Sequence, residues 1–490
     1  MEATLTARLA DYRNLRREIE RNVLPLATSV DGRTFEFQAP LEPLEIRVGG
    51  YVTLDGRLGQ ILSLEVARMD AGELGWTGEA SFSSRVTIRF AQGAGTLLDG
   101  GETPFHDAEM RPAAPEAVAA WLRASAPRRA RLQAGELRLA DGVTHGLDAG
   151  GFDRHTFLCG QSGSGKTYAL GVLLERILLS TQLRVVVLDP NSDFVPLATP
   201  RADADPELAE RYREATASLV VQRAGAHGDH DRLRLRIGEL APAAQAAALR
   251  LDPVRDRDEY ATFTELLAGE RLRELRDLAE LDRPGAAELA ARALNLGVAG
   301  WGIWARQDPG SSLELLGDTS VRGVVIDLGS LATREEQALV AGAVLERLWR
   351  DRARREPVLI VIDEAHNVCP AEPEDALTAL ATEHAVRIAA EGRKFGLYLL
   401  TSTQRPQKVH PNVVSQCDNL VLMRMNSAAD LAHAAEMFSF VPAGLLTQAA
   451  SFRLGEALVA GKLSSHPALL RVGARISAEG GGDVPASWAQ

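Results

Sequence analysis

The stretch RHTFLCGQSGSGKTYALGVLLERILL, Arg154–Leu179, decides how the 490-residue chain is read. An apolar run ends at Cys159. Gly160, four further residues and Gly165-Lys166-Thr167 follow, and an apolar helical pattern begins at once. That spacing between a strand and a helix is a phosphate loop. Its glycines let successive backbone N–H groups turn inward around phosphate, and the helix brings its positive end to the same place. Gly160, Ser162, Gly163, Ser164, Gly165, Lys166, Thr167 and Tyr168 are therefore the candidate ATP-binding residues. Lys166, also a catalytic candidate, is suited to bridge the β- and γ-phosphates, and the Thr167 hydroxyl to bind Mg²⁺.

Such a loop needs carboxylates nearby, one for the metal and one for the attacking water. VLIVIDEAH, Val358–His366, supplies both at the end of a second apolar strand. Asp363 is the candidate Mg²⁺ ligand and Glu364 the candidate general base. His366 reads equally well as a polar residue at a helix start. LYLLTSTQRP, Leu397–Pro406, ends a third strand on Ser402, Thr403 and Gln404. Ligands bind at the carboxyl ends of strands in open α/β sheets, so Gln404 is the candidate γ-phosphate sensor or water holder.

Working outward, strands are expected at Phe157–Cys159, Val185–Asp189, Val324–Asp327, Leu359–Asp363, Leu397–Thr401 and Leu420–Met423, with helical stretches between them. This alternation predicts an α/β fold with a doubly wound, mainly parallel sheet. It splits into 150–199 and 319–472, around a helical insertion at 200–318 with helices such as Ala241–Leu251 and Ala286–Leu296. Residues 1–25 read as an N-terminal amphipathic helix with the stripe Leu5, Leu9, Tyr12, Leu15, Ile19 and Val23, to be buried on its own chain or on a partner. From 26 to 98 the period is two, with turn signals at Asp31-Gly32, Gly49-Gly50 and Asp55-Gly56, which predicts a small β-barrel. Residues 99–149 read as linker and hairpin, and 473–490 as a mobile tail.

Composition excludes several classes. A 46% hydrophobic and 24% charged chain is globular rather than disordered. Its net charge of −12 argues against a coat of non-specific nucleic-acid contacts but leaves room for a local basic channel. Cys159, Cys369 and Cys417 have no paired spacing, so no disulfide or zinc framework follows. The charged N-terminus is no signal peptide, and no apolar run approaches the ~20 residues of a membrane helix. A soluble, cytoplasmic protein without membrane contact is expected. The chain has only four lysines against 50 arginines, and one is Lys166, where a slender ammonium suits the phosphates better than a planar guanidinium. His227-Gly-Asp-His230-Asp231 lacks an HExxH spacing and gives no firm metal site. The RLRLRI run at 232–237 reads as a strand with one solvated basic face, and Trp301 and Trp304 as core.

With these residues in view, the chain resembles the HerA branch of the HerA/FtsK superfamily of hexameric motor ATPases. The resemblance rests on RHTFLCGQSGSGKT (154–167), VVVLDPNSDF (185–194), VLIVIDEAHNVCP (358–370), EGRKFGLYLLTSTQRP (391–406) and VVSQCDNLVLMRM (413–425), and it spans about 150–472. It implies a P-loop NTPase core of RecA-like type, a small N-terminal barrel, a helical subdomain and a homo-hexamer with ATP at each interface. In such rings a neighbour's arginine completes the site, and Arg393 matches that motif position; Arg424 is the candidate nucleotide contact within its own subunit. Where the family commonly carries a His-Gly-Glu type sequence, this chain has Asn191-Ser192-Asp193, which leaves Asp193 without an assigned role.

The expected function is an ATP-driven motor on double-stranded DNA, with Arg405 and Lys408 as candidate loop contacts and a nuclease or other effector as partner. The alternative is an ATP-regulated scaffold that activates an effector enzyme in anti-phage defence. A small-molecule kinase is disfavoured, since nothing resembles an acceptor-substrate lid.

Overall fold

In a computed structural model, the structure describes residues 2–76, 82–126, 130–225, 232–268, 278, 285–305 and 310–480. The His227–Asp231 cluster lies outside them. Six antiparallel strands, β1 (Leu26–Ser29), β2 (Thr34–Ala39), β3 (Tyr51–Leu54), β4 (Arg57–Trp76), β5 (Phe82–Leu97) and β6 (Phe105–Pro112), close a barrel in the order β1-β2-β5-β4-β3-β6. Alternation fills it: β2 turns Phe35, Phe37 and Ala39 inward against Val52, Leu54, Ile61 and Met110. The closing strand β6 falls in the stretch expected to be linker. Its Gly-, Pro- and acid-rich surroundings hid a strand that buries only Ala108 and Met110.

The remaining strands are β7 (Arg131–Leu137), β8 (Thr144–Asp148), β9 (His155–Cys159), β10 (Arg184–Asp189), β11 (Leu219–Arg223), β12 (Gly323–Asp327), β13 (Val358–Ile362), β14 (Leu397–Thr403), β15 (Cys417–Met423), β16 (Glu456–Gly461) and β17 (Ala468–Val472). They form one sheet, β11-β12-β10-β13-β14-β9-β15-β16-β17-β7-β8, parallel from β11 to β15 and antiparallel beyond. Its central strands are apolar throughout because both faces are covered. Leu158, Val187, Leu359, Val361 and Leu400 meet the helix Lys166–Ser180, while Leu188, Ile360, Ile362 and Leu399 meet the helices Arg334–Arg350 and Ala376–Glu391. Each such side chain contributes about 1.5–3 kcal/mol by leaving water.

Three further expectations are corrected. The insertion is not helical throughout, since β11 extends the main sheet from within it. RLRLRI is no solvated strand: Leu233, Leu235 and Ile237 are buried and Arg234 is only 8% exposed. The tail is fixed at least to Gly480, where its backbone N–H donates to the Asp193 carbonyl at 3.1 Å. What holds it is Glu175, fully buried on the helix Lys166–Ser180, which accepts the N–H groups of Ile476 and Ser477 at 2.8 and 2.7 Å and the Ser477 hydroxyl at 2.6 Å. The buried Arg475 guanidinium lies 3.6 Å from the same carboxylate, in space that a Cβ on Gly171 would close, 2.5 Å from Cζ.

The N-terminal helix Glu2–Arg21 reaches the barrel through Glu20, which accepts the Arg89 N–H at 3.1 Å. Of its stripe, Ile19 and Val23 are half-buried and Leu15 is exposed; Leu5, Leu9 and Tyr12 lie outside the described side chains. Trp301 and Trp304 stack at 6.1 Å against the core. Among the described residues, no helix is long and apolar enough to cross a membrane.

Buried histidines set an acid limit on the fold. His155 accepts the Leu399 N–H at Nδ1 and donates from Nε2 to the Ala389 carbonyl; His466 bonds Tyr51, and His145 bonds Ser464. Burial lowers His155 and His145 to about 4 and His466 to about 3. A depressed folded value means the stabilisation is complete above the unfolded value near 6.5 and is lost as pH falls. The loss should be about 1.4 kcal/mol per histidine per pH unit. Denaturant midpoints at pH 7 and pH 5 check this; an unchanged midpoint would contradict it.

Candidate functional site

The phosphate loop hangs between the two strands flanking β9. Gly160 N–H donates to the Thr403 carbonyl on the β14 side, and Gln161 N–H to the Arg424 carbonyl on the β15 side. Gly163 and Gly165 take φ of 70° and 89°, the left-handed region that favours glycine. A Cβ on Gly160 would lie 2.5 Å from Met423 Cβ. Arg424 reaches the loop within its own chain, its Nη2 donating to the Gly163 carbonyl at 2.8 Å. Ser164 Oγ is buried without a hydrogen-bond partner among the described residues. Tyr168 spends its hydroxyl on the Arg475 N–H at 2.8 Å.

Lys166, 7% exposed, sits at the centre. Its Nζ donates to Asp363 Oδ1 at 2.8 Å and Ser402 Oγ at 3.1 Å, and lies 3.1 Å from Glu364 Oε1. Burial opposes its charge, but Asp363 and Glu364 outweigh burial and raise its pKa. Adjacent strand residues face opposite ways, so two neighbouring carboxylates can share one ammonium only if the backbone turns. It turns at Glu364, whose φ of 42° is left-handed, a conformation costing about 1–3 kcal/mol in a non-glycine residue. The short helix Ala365–Val368 then places His366 Nδ1 3.2 Å from Glu364 Oε2 and 3.0 Å from Thr403 Oγ1. A carboxylate only accepts, so the Glu364 contact requires the proton on Nδ1. Burial pushes Glu364 up, but His366 and Lys166 prevail and hold it down at about 2.

The register of β10 and β13 pairs Leu188 with Ile362, so Asp189 emerges beside Asp363. Asp189 closes the following turn by accepting the N–H groups of Asn191, Asp193 and Phe194 at 3.3, 3.0 and 2.7 Å. The turn returns Asp193 to the same place. Burial raises Asp189 to about 7 and Asp193 to about 6.

The fold thus gathers Lys166, Asp363, Glu364, the loop glycines and Arg424. It gives Gln404 a smaller part, in which the Gln404 backbone N–H points to Glu364 Oε2 at 3.4 Å while Ser402 and Thr403 supply the side-chain contacts. It does not bring Arg393 near. Arg393 precedes β14, about 20 Å of strand from Gln404, and its Nη1 pairs with Asp418 at 2.6 Å. The sequence places Ser402, Thr403 and His366 near the site but assigns a role only to Gln404, and it assigns none to Asp189; two aspartates ending neighbouring strands are the available signal for the last.

The family model for the central domain of helicase HerA matches residues 132–281. Over that stretch the chain is similar to the HerA family. A probable helicase of Methanocaldococcus jannaschii is 31% identical over 150 residues, 30% of this chain and 28% of that protein. The DNA double-strand break repair helicase HerA of Pyrococcus furiosus is 24% identical over 405 residues, covering 70% of this chain and 69% of its own. That of Sulfurisphaera tokodaii is 33% identical over 156 residues, 30% of this chain and 31% of its own. The match therefore spans under a third of the first of these relatives. The plasmid coupling protein TrwB, solved with a non-hydrolysable GTP analogue, has a similar fold, with a TM-score of 0.50 and 13% identity, over 76% of this chain and 95% of its own.

Proposed function

We propose that this HerA-like chain hydrolyses ATP as one subunit of a six-membered ring that moves along double-stranded DNA, working with a nuclease or other effector protein. The observation that carries this reading is the Lys166 ammonium shared between Asp363 and Glu364 at the mouth of the phosphate loop. Polyphosphate bound in the loop draws that ammonium onto the β- and γ-phosphates. Glu364 then loses one of the two groups holding its pKa down and becomes a better proton acceptor, while His366 keeps its carboxylate aimed. The attacking water gives its proton to Glu364 as its oxygen bonds the γ-phosphorus and the bond to the β-phosphate bridging oxygen breaks. Mg²⁺, held by Thr167 and Asp363, would supply further positive charge; Asp363 Oδ2, buried and without a hydrogen-bond partner among the described residues, suits such a ligand. Arg393, far from its own loop and half-exposed, is assigned to the neighbouring subunit's γ-phosphate. The exposed Leu15 on the N-terminal helix is the place to seek the effector.

ATP turnover measured with and without linear duplex DNA at low salt tests the motor reading. Turnover should rise with DNA, and a rate indifferent to DNA would count strongly against it. The effector-scaffold alternative predicts that indifference.

A further inference from the structure

We propose that Asp189, Asp193 and Asp363 form a divalent-cation site that fills in the nucleotide-free protein. Each offers a carboxylate oxygen, and the three oxygens lie within 4.8 Å of one another. The cluster is built by the fold: Asp189 and Asp363 end neighbouring strands, and the turn capped by Asp189 returns Asp193.

Lys166 cannot satisfy this cluster. An ammonium has three donors, and Lys166 directs them to Asp363, Glu364 and Ser402. Asp363 Oδ2, on a residue with no exposure, has no hydrogen-bond partner among the described residues. The Asp193 side chain enters no hydrogen bond or ion pair among the described residues, and Asp189 enters no ion pair. Asp363 and Glu364 already share the one ammonium, and Asp189 and Asp193 add two further carboxylates beside Asp363. A second positive charge beside Asp363 Oδ2 leaves the Lys166 contact at Oδ1 intact. Three carboxylate oxygens without nitrogen or sulfur select a hard ion of the Mg²⁺ or Mn²⁺ class. Adjacent ligands of such an octahedral ion stand about 3 Å apart, so the three oxygens, now within 4.8 Å of one another, must draw together around it.

This site differs from the position of nucleotide-bound Mg²⁺ because it uses Asp189 and Asp193 in place of Thr167. It does not rest on ATP hydrolysis. It gives Asp193, the departure from the His-Gly-Glu pattern, a role of its own, and it would hold a cation ready beside the loop before ATP arrives.

The test is a titration of the nucleotide-free full chain with Mn²⁺, followed by loss of the free-ion electron paramagnetic resonance signal. One Mn²⁺ should bind per chain and be displaced by Mg²⁺. Asp193→Asn should weaken binding at least tenfold, and Thr167→Val should leave it unchanged. Asp193 makes no side-chain bond among the described residues, so its amide variant should keep the native melting temperature and ATP binding, which separates this outcome from failure of the nucleotide-site reading. Absence of bound Mn²⁺, native binding by both Asp193→Asn and Asp189→Asn, or loss of binding in Thr167→Val would each overturn the proposal. A proton shared between the aspartates would produce the first of these.

Discussion

Glu364→Gln protein is expected to bind ATP and to hydrolyse it about 10²–10⁴-fold more slowly. The amide keeps the shape and the left-handed backbone at φ 42° but cannot take a proton from water. Asp363 and Ser402 still hold the Lys166 ammonium in the variant, so the loop stays organised and binding survives. Lys166→Ala gives the contrast, because it removes the phosphate contact and leaves two carboxylates facing each other without a cation. A single-turnover assay with ATP bound beforehand separates the two, and rapid hydrolysis by the amide variant would remove Glu364 as the base.

Glu175→Ala should destabilise the fold by about 3–5 kcal/mol, the loss expected when one partner of a buried ion pair is deleted. Arg475 would stay buried without its carboxylate, and the Ile476 and Ser477 N–H groups would lose their acceptor. Glu175→Gln with Arg475→Met removes both charges and keeps an oxygen for those N–H groups, so the double variant should recover most of the loss. Chemical denaturation of the three proteins checks this. An alanine variant as stable as the parent would show that the segment 474–480 adds little.

The sheet and the phosphate loop were legible because their signals are local. A strand–GQSGSGKT–helix sequence carries its own geometry, and the runs at Val185–Asp189 and Leu359–Ile362 read as buried on both faces. The rest depends on pairings that no short window contains. Asp189 meets Asp363 only through strand register, and Ser402 meets Lys166 only because β14 lies between β13 and β9. Gln404 is favoured in the sequence by its place at the carboxyl end of a strand, yet β14 ends at Thr403 and the lysine reaches Ser402, still within the strand. Strand β6 and the docked 474–480 segment escaped notice for a related reason. Glycine, proline and acids mark loops by composition, whereas both stretches are fixed by partners distant in the chain.

The Glu175 bond also orders events in time. Glu175 and Ser477 are separated by 302 positions, so during synthesis the helix that follows the phosphate loop is made long before the groups that satisfy its buried carboxylate. Until then that carboxylate must stay hydrated, and the helix cannot seat fully on the sheet. Contacts of such long separation close late and slowly. The nucleotide pocket should therefore be among the last parts of the newborn polypeptide to set, and an intermediate lacking residues 474–480 should be more open to proteolysis around Glu175 than the finished protein.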